Sequence, residues 1–124
     1  MASAVQDITI EQGSDYVAIL TIKDNLAAEI DLTGYSFSGA ISDETCDAVV
    51  ASFTFEIRNQ VTYKGQAFWR MASAVTAAIP TNCVSATDKF VTTPYLYDVE
   101  MIEPSGSISR ILMGKANVSP EVNK

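Results

Sequence analysis

Histidine is absent, and cysteine, proline and cations are all scarce. Without an imidazole there is no Ser-His-Asp or Cys-His nucleophile pair, no histidine acid–base catalysis and no zinc site of the usual catalytic kind. The two cysteines, Cys46 and Cys83, lie too far apart for a CxxC motif or a zinc knuckle. They read as reduced thiols of a chain made in a cytoplasm, with a bridge left open should their two loops meet. Eight Lys and Arg stand against fifteen Asp and Glu, a net charge of −7. The cations are scattered, so no patch exists to displace counterions from nucleic acid or anionic lipid. No apolar run approaches the roughly 20 residues of a membrane-spanning helix, and the first residues carry neither a basic n-region nor an apolar h-region. Neither a membrane span nor a signal peptide is expected.

What is present is ordinary globular material: 124 residues, 48% hydrophobic and 19% charged. That length fits a single domain, residues 1–124, with one proper core. Period-two alternation dominates. Tyr35, Phe37, Gly39 and Ile41 alternate with Ser36, Ser38, Ala40 and Ser42; Phe53, Phe55 and Ile57 with Ser52, Thr54 and Glu56; and Tyr95, Tyr97, Val99 and Met101 with Leu96, Asp98, Glu100 and Ile102. Each run predicts a strand with one buried face. Residues 16–22 are more continuously apolar, which predicts a strand covered on both faces. Runs at 5–10 and 107–113 add two more strands.

Turn chemistry separates these runs. Glu103-Pro104-Ser105-Gly106 is the clearest hairpin, with Pro104 presetting a type I turn and Gly106 supplying a left-handed residue. It pairs residues 95–102 antiparallel with 107–113. Only residues 71–79, Ala-rich and stopped by Pro80, predict one or two helical turns, with Ser73 as the cap. The sum is an all-β fold, an Ig-like antiparallel β-sandwich with one short helix. Residues 1–6 and 118–124 read as tails, flexible or ordered by a partner.

Candidate sites are few. Asp43, Glu44 and Asp47 offer hard oxygens for calcium but lack the register of an EF-hand loop, and read as a solvated acidic turn. Asp98 and Glu100 share a strand face, with Glu103 beyond, and read as its polar side rather than a glycosidase pair. Phe68-Trp69-Arg70 sets aromatic rings beside a guanidinium, a combination found at interface hot spots and carbohydrate platforms. The plainer alternative makes one of those rings core, depending on which face its strand buries. With Val118, Pro120 and Val122 of the C-terminal tail, these three are the expected partner interface. No catalytic residue, cofactor or metal is expected, and the chain reads as a non-enzyme.

A resemblance adds to this. Asp7-Ile8-Thr9-Ile10-Glu11-Gln12-Gly13, Leu20-Thr21-Ile22-Lys23-Asp24, Ile30-Asp31-Leu32-Thr33-Gly34-Tyr35, Tyr97-Asp98-Val99-Glu100 and Val118-Ser119-Pro120-Glu121-Val122 follow one another in order along nearly the whole chain. In this it resembles a family of small virion proteins of tailed bacteriophages and prophages. Met113 and Lys115 depart from the family's pattern, which usually closes that segment with an acidic residue. The resemblance implies a structural protein of the virion, an adaptor or clamp in the tail, neck or baseplate. Its partners would be other phage structural proteins in symmetric copies; the second departure is that no receptor-binding module is expected after Lys124, so a direct role in host recognition is not expected. A capsid decoration (cement) protein needs the same fold, and a host-surface glycan-binding module using Trp69 is the third alternative.

Overall fold

The computed structural model describes residues 4–24, 26–43, 48–81 and 92–121. Nine strands and one helix follow in the order β1 (Ala4–Val5), β2 (Ile8–Glu11), β3 (Tyr16–Thr21), β4 (Ser36–Ser42), β5 (Val49–Ser52), β6 (Thr54–Ile57), β7 (Gln66–Met71), α1 (Ser73–Ala77), β8 (Thr93–Ile102) and β9 (Ile108–Ser119). They form two sheets. One runs β1-β9-β8-β4-β5 with β2 also paired to β9; the other is β3-β7-β6. The molecule is a sandwich-like β protein whose sheets do not close into a barrel.

Alternation builds the core as the pattern requires. Along β8, Tyr95, Tyr97, Val99 and Met101 are all buried, and the residues between them are half-exposed. Across from them, Ala67, Trp69 and Met71 of β7 point inward, with Leu20 of β3 beside them. The chain changes sheets at Phe53, between β5 and β6. Phe53 donates its N–H to Gly39 O (2.9 Å) and its ring enters the core. There Tyr16, Phe53, Trp69 and Tyr97 form one aromatic cluster. Trp69 sits 5.3 Å from Tyr16, 5.1 Å from Phe53 and 5.6 Å from Tyr97 between ring centroids.

The β8–β9 hairpin closes as its turn residues dictate. Gly106 N donates to Glu103 O (2.8 Å) and Glu103 N to Ser107 O (2.9 Å), with Gly106 at φ 93°. Strand pairing then extends well past the expected stretch, to Thr93↔Val118.

Three expectations need correction. The larger sheet is mixed rather than antiparallel, because β1 and β2 both run parallel to β9 along its outer edge. Strand β3 is covered on one face alone: Val17 is 58% exposed and Ile19 51%. Val17 and Ile19 on its outer face are apolar, and among the described residues no third layer covers them. The helix is shorter than residues 71–79, since Met71 still belongs to β7 and is buried. Ala72, not Ser73, is its N-cap, and the first turn is closed instead by Asp15 Oδ1, which accepts the Ser73 N–H (2.7 Å). The described parts of both ends are seated on the sheet: Ala4 and Val5 pair with Leu112 and Met113, and Val118 is fully buried. Cys46, Cys83, Glu44 and Asp47 lie outside the described residues.

Helix α1 plugs one end of the sandwich through buried polar groups. Thr76, 0% exposed, donates from Oγ1 to Ser14 O (2.8 Å), with Ser73 O at 3.1 Å, and accepts the Gly13 N–H (3.1 Å). Gln12 donates from Nε2 to Ile79 O (2.8 Å) and accepts the Glu121 N–H at Oε1 (2.8 Å). One turn thereby ties together the helix, the chain start and the chain end. Thr76→Val keeps the shape but leaves the Gly13 N–H and Ser14 carbonyl unpaired. It is expected to cost about 1–3 kcal/mol in urea unfolding, with Thr76→Ser close to wild type.

Burial pushes the Tyr16 phenol up to about 12. It does the same for Tyr97, to about 12, with smaller contributions from Tyr16 and Asp7. In the unfolded chain both titrate near 10. Above that pH the unfolded chain releases protons that the folded chain keeps, so stability falls with rising pH. The urea midpoint should be level below about pH 9.5 and fall between about pH 10 and 12. Tyr97→Phe should flatten that slope.

Candidate interaction surface

The outer face of the three-stranded sheet brings exposed Val17 and Ile19 together with Phe68, Arg58 and Arg70. Register places Val17 opposite Arg70 and Ile19 opposite Phe68, and on the other side Thr54 opposite Arg70 and Glu56 opposite Phe68. Because neighbours on a strand face opposite ways, Phe68 and Arg70 share this outer face while Trp69 between them does not. Phe68 is flanked by two guanidinium groups. The Arg70 Cζ lies 4.2 Å from its ring centroid and the Arg58 Cζ 4.8 Å, and Arg58 also stacks on Tyr63 at 3.4 Å. Each arginine is held in place by a second contact. Arg70 Nη1 pairs with Glu56 Oε2 (3.0 Å), and Arg58 Nη1 donates to Gln66 Oε1 (2.9 Å).

The result is a pre-ordered patch: an aromatic ring under two planar cations, bordered by Val17 and Ile19. Surface ion pairs of this kind contribute little to stability. Their effect here is to fix side-chain positions before a partner arrives, which reduces the entropy lost on docking. Guanidinium groups on aromatic rings also match carboxylates bidentately.

The six expected interface residues are not brought together. Phe68 and Arg70 lie on the patch. Trp69 is 3% exposed and belongs to the aromatic cluster, so it presents no ring face to solvent for a glycan. Val118 is 0% exposed and pairs with Ile10 and Thr93, and Pro120 is buried beside it. Val122 lies outside the described residues. Arg58 and Tyr63, which complete the patch, carry no signal in the sequence; only the β6–β7 pairing brings Arg58 to the ring of Phe68.

Asp98 and Glu100 occupy the outer face of the larger sheet. Asp98 Oδ2 pairs with Arg110 Nε at 3.6 Å, beside a shallow depression bordered by Leu96 and Met113. No group of three or more potential metal ligands occurs among the described residues. A second cleft, of about 390 Å³, runs along β3 between Tyr16 and Lys23 and is bordered on its far side by Ala4, Gln6 and Leu112.

No protein-family model matches the chain, and no curated protein is significantly similar to it.

Proposed function

We propose that this chain is a non-enzymatic structural protein of a tailed-phage or prophage virion. In this reading it is an Ig-like brick that acts as an adaptor or clamp in the tail, neck or baseplate. What supports the reading is where the family-like phrases lie in space. Residues 7–13 and 118–121 run side by side through β2 and β9, joined by Gln12 N to Ser119 O (3.0 Å) and Glu121 N to Gln12 Oε1. Tyr97, opening the Tyr97-Asp98-Val99-Glu100 phrase, donates its hydroxyl to Gln6 O, next to the first phrase. The first and last phrases thus meet in one seam, which supports a pattern shaped by a shared fold.

The patch around Phe68 is the docking face of this brick, and its partner is a virion protein presenting carboxylates beside apolar side chains. The test is incorporation. Arg58→Glu combined with Phe68→Ser changes outward-facing groups, so the purified double variant should unfold near the wild-type temperature. Expressed in place of the wild type, it should be lost from purified particles at least tenfold. Wild-type levels in particles would remove the patch from the docking face, and absence of the wild-type chain from particles would remove the virion reading itself.

A further inference from the structure

Strand β3 is an edge: among the described residues it pairs in its sheet with β7 alone. Its register with β7 continues to Ile22, whose N–H donates to Gly65 O (2.8 Å). Strand alternation then turns the backbone groups of the even-numbered residues toward β7 and those of Val17, Ile19 and Thr21 toward the free edge. A cleft runs along that edge, between it and Ala4, Gln6 and Leu112 on the larger sheet's side. Nothing native edges use for protection is present on β3 itself: it has no proline, no inward-pointing charge and no bulge in its pairing.

The strand's sequence is complementary to its own reverse. Asp15-Tyr16-Val17-Ala18-Ile19-Leu20-Thr21-Ile22-Lys23 is centred on Ile19. Laid antiparallel about that residue, Ile19 faces Ile19 of a second copy, Val17 faces Thr21, and Asp15 faces Lys23 at both ends. Asp15 and Lys23 are both exposed. The residues paired this way are the ones whose backbone groups face outward, as hydrogen-bonded pairs require. Moving the centre by one residue, to Ala18, loses the charge match: Asp15 then faces Thr21 and Lys23 faces Gly13. The outward side chains of Val17 and Ile19, 58% and 51% exposed, would meet their counterparts in one apolar stripe across the joint.

We infer that β3 joins β3 of a second copy of this chain, antiparallel about Ile19, in a two-fold symmetric dimer with one sheet continuous through both copies. The inference does not depend on the virion reading, and its test uses the purified chain. Sedimentation equilibrium at micromolar concentration should give about twice the 13.4 kDa chain mass. Ile19→Lys sets two ammonium groups against each other at the axis and should give the single-chain mass with an unchanged circular dichroism spectrum. Lys23→Glu should weaken association about tenfold, and adding Asp15→Lys should restore it. Asp15 also closes the helix end, so thermal unfolding of that double variant separates lost folding from lost pairing. Amide exchange gives an independent readout: Val17, Ile19 and Thr21 should be slow in the wild type and fast in Ile19→Lys. A wild-type chain of single mass, or a dimer indifferent to both Ile19→Lys and Lys23→Glu, overturns the inference.

Discussion

Trp69→Ala is expected to lower stability by about 3–5 kcal/mol, the largest single-residue effect in the molecule. The indole is the hub of the core: 3% exposed and within 5.6 Å of the rings of Tyr16, Phe53 and Tyr97. Those partners come from β3, the sheet-switching residue and β8, so the cavity left by truncation would open between the sheets. Collapse into it would require both sheets to move. Trp69→Phe should cost far less, about 1–2 kcal/mol. Trp69 Nε1 has no hydrogen-bond acceptor among the described residues, so replacing the indole by a phenyl ring removes volume without orphaning a polar atom. Two-state urea unfolding of the two variants measures the contrast directly. Equal losses would mean that the indole N–H, not ring volume, carries the site.

Gly114→Ala should destabilise through a different mechanism, backbone against backbone. A Cβ at Gly114 would lie 2.2 Å from Gln6 O and 2.7 Å from Gln6 C. The chain cannot simply move aside. Gln6 N donates to Met113 O (2.9 Å), Asp7 Oδ1 accepts the Lys115 N–H (3.0 Å), and the Tyr97 hydroxyl donates to Gln6 O. Overpacking of this kind costs about 1–3 kcal/mol. The melting temperature should fall by roughly 5–15 °C, and amide protection at Gln6 and Lys115 should be lost first as β1 lifts from β9. Gly106→Ala is the control. Nothing lies within 4 Å of a Cβ there, but φ is 93°, so its cost is conformational alone, about 1–2 kcal/mol, and leaves Gln6 and Lys115 protected.

These two positions show what the sequence can and cannot tell. Alternation in residues 95–101 specified a buried face, and Pro104 and Gly106 specified the hairpin, because both signals act between near neighbours. Phe68-Trp69-Arg70 shows the limit of that logic. Period two states that Trp69 faces away from its two neighbours, but which side meets the core depends on the pairing of β7 with β3 and β6. The parallel seating of β1 and β2 on β9 was invisible for the same reason, since a short apolar segment reads alike in either direction. Gln12 follows a strand-like run and Thr76 lies in the Ala-rich helical stretch, and neither position announces a buried polar role. Their buried roles arise from contacts between positions 67 and 63 apart in the chain, Gln12 to Ile79 and Thr76 to Gly13, which no local pattern encodes. Within the patch, Phe68 and Arg70 were legible as a pair, whereas Arg58 and Tyr63 join it only through the β6–β7 pairing and the loop after it.

We propose that the chain works in a virion by shape-matched contact through the outer face and free edge of its smaller sheet. Gold-labelled antibody against the purified chain, applied to intact particles released by the host cell and viewed by negative-stain microscopy, tests that proposal most directly. Label repeating around a ring in the tail, neck or baseplate is the expected result. Label spread over the head would replace the adaptor with a capsid decoration role, and unlabelled particles from cells that contain the chain would contradict the account.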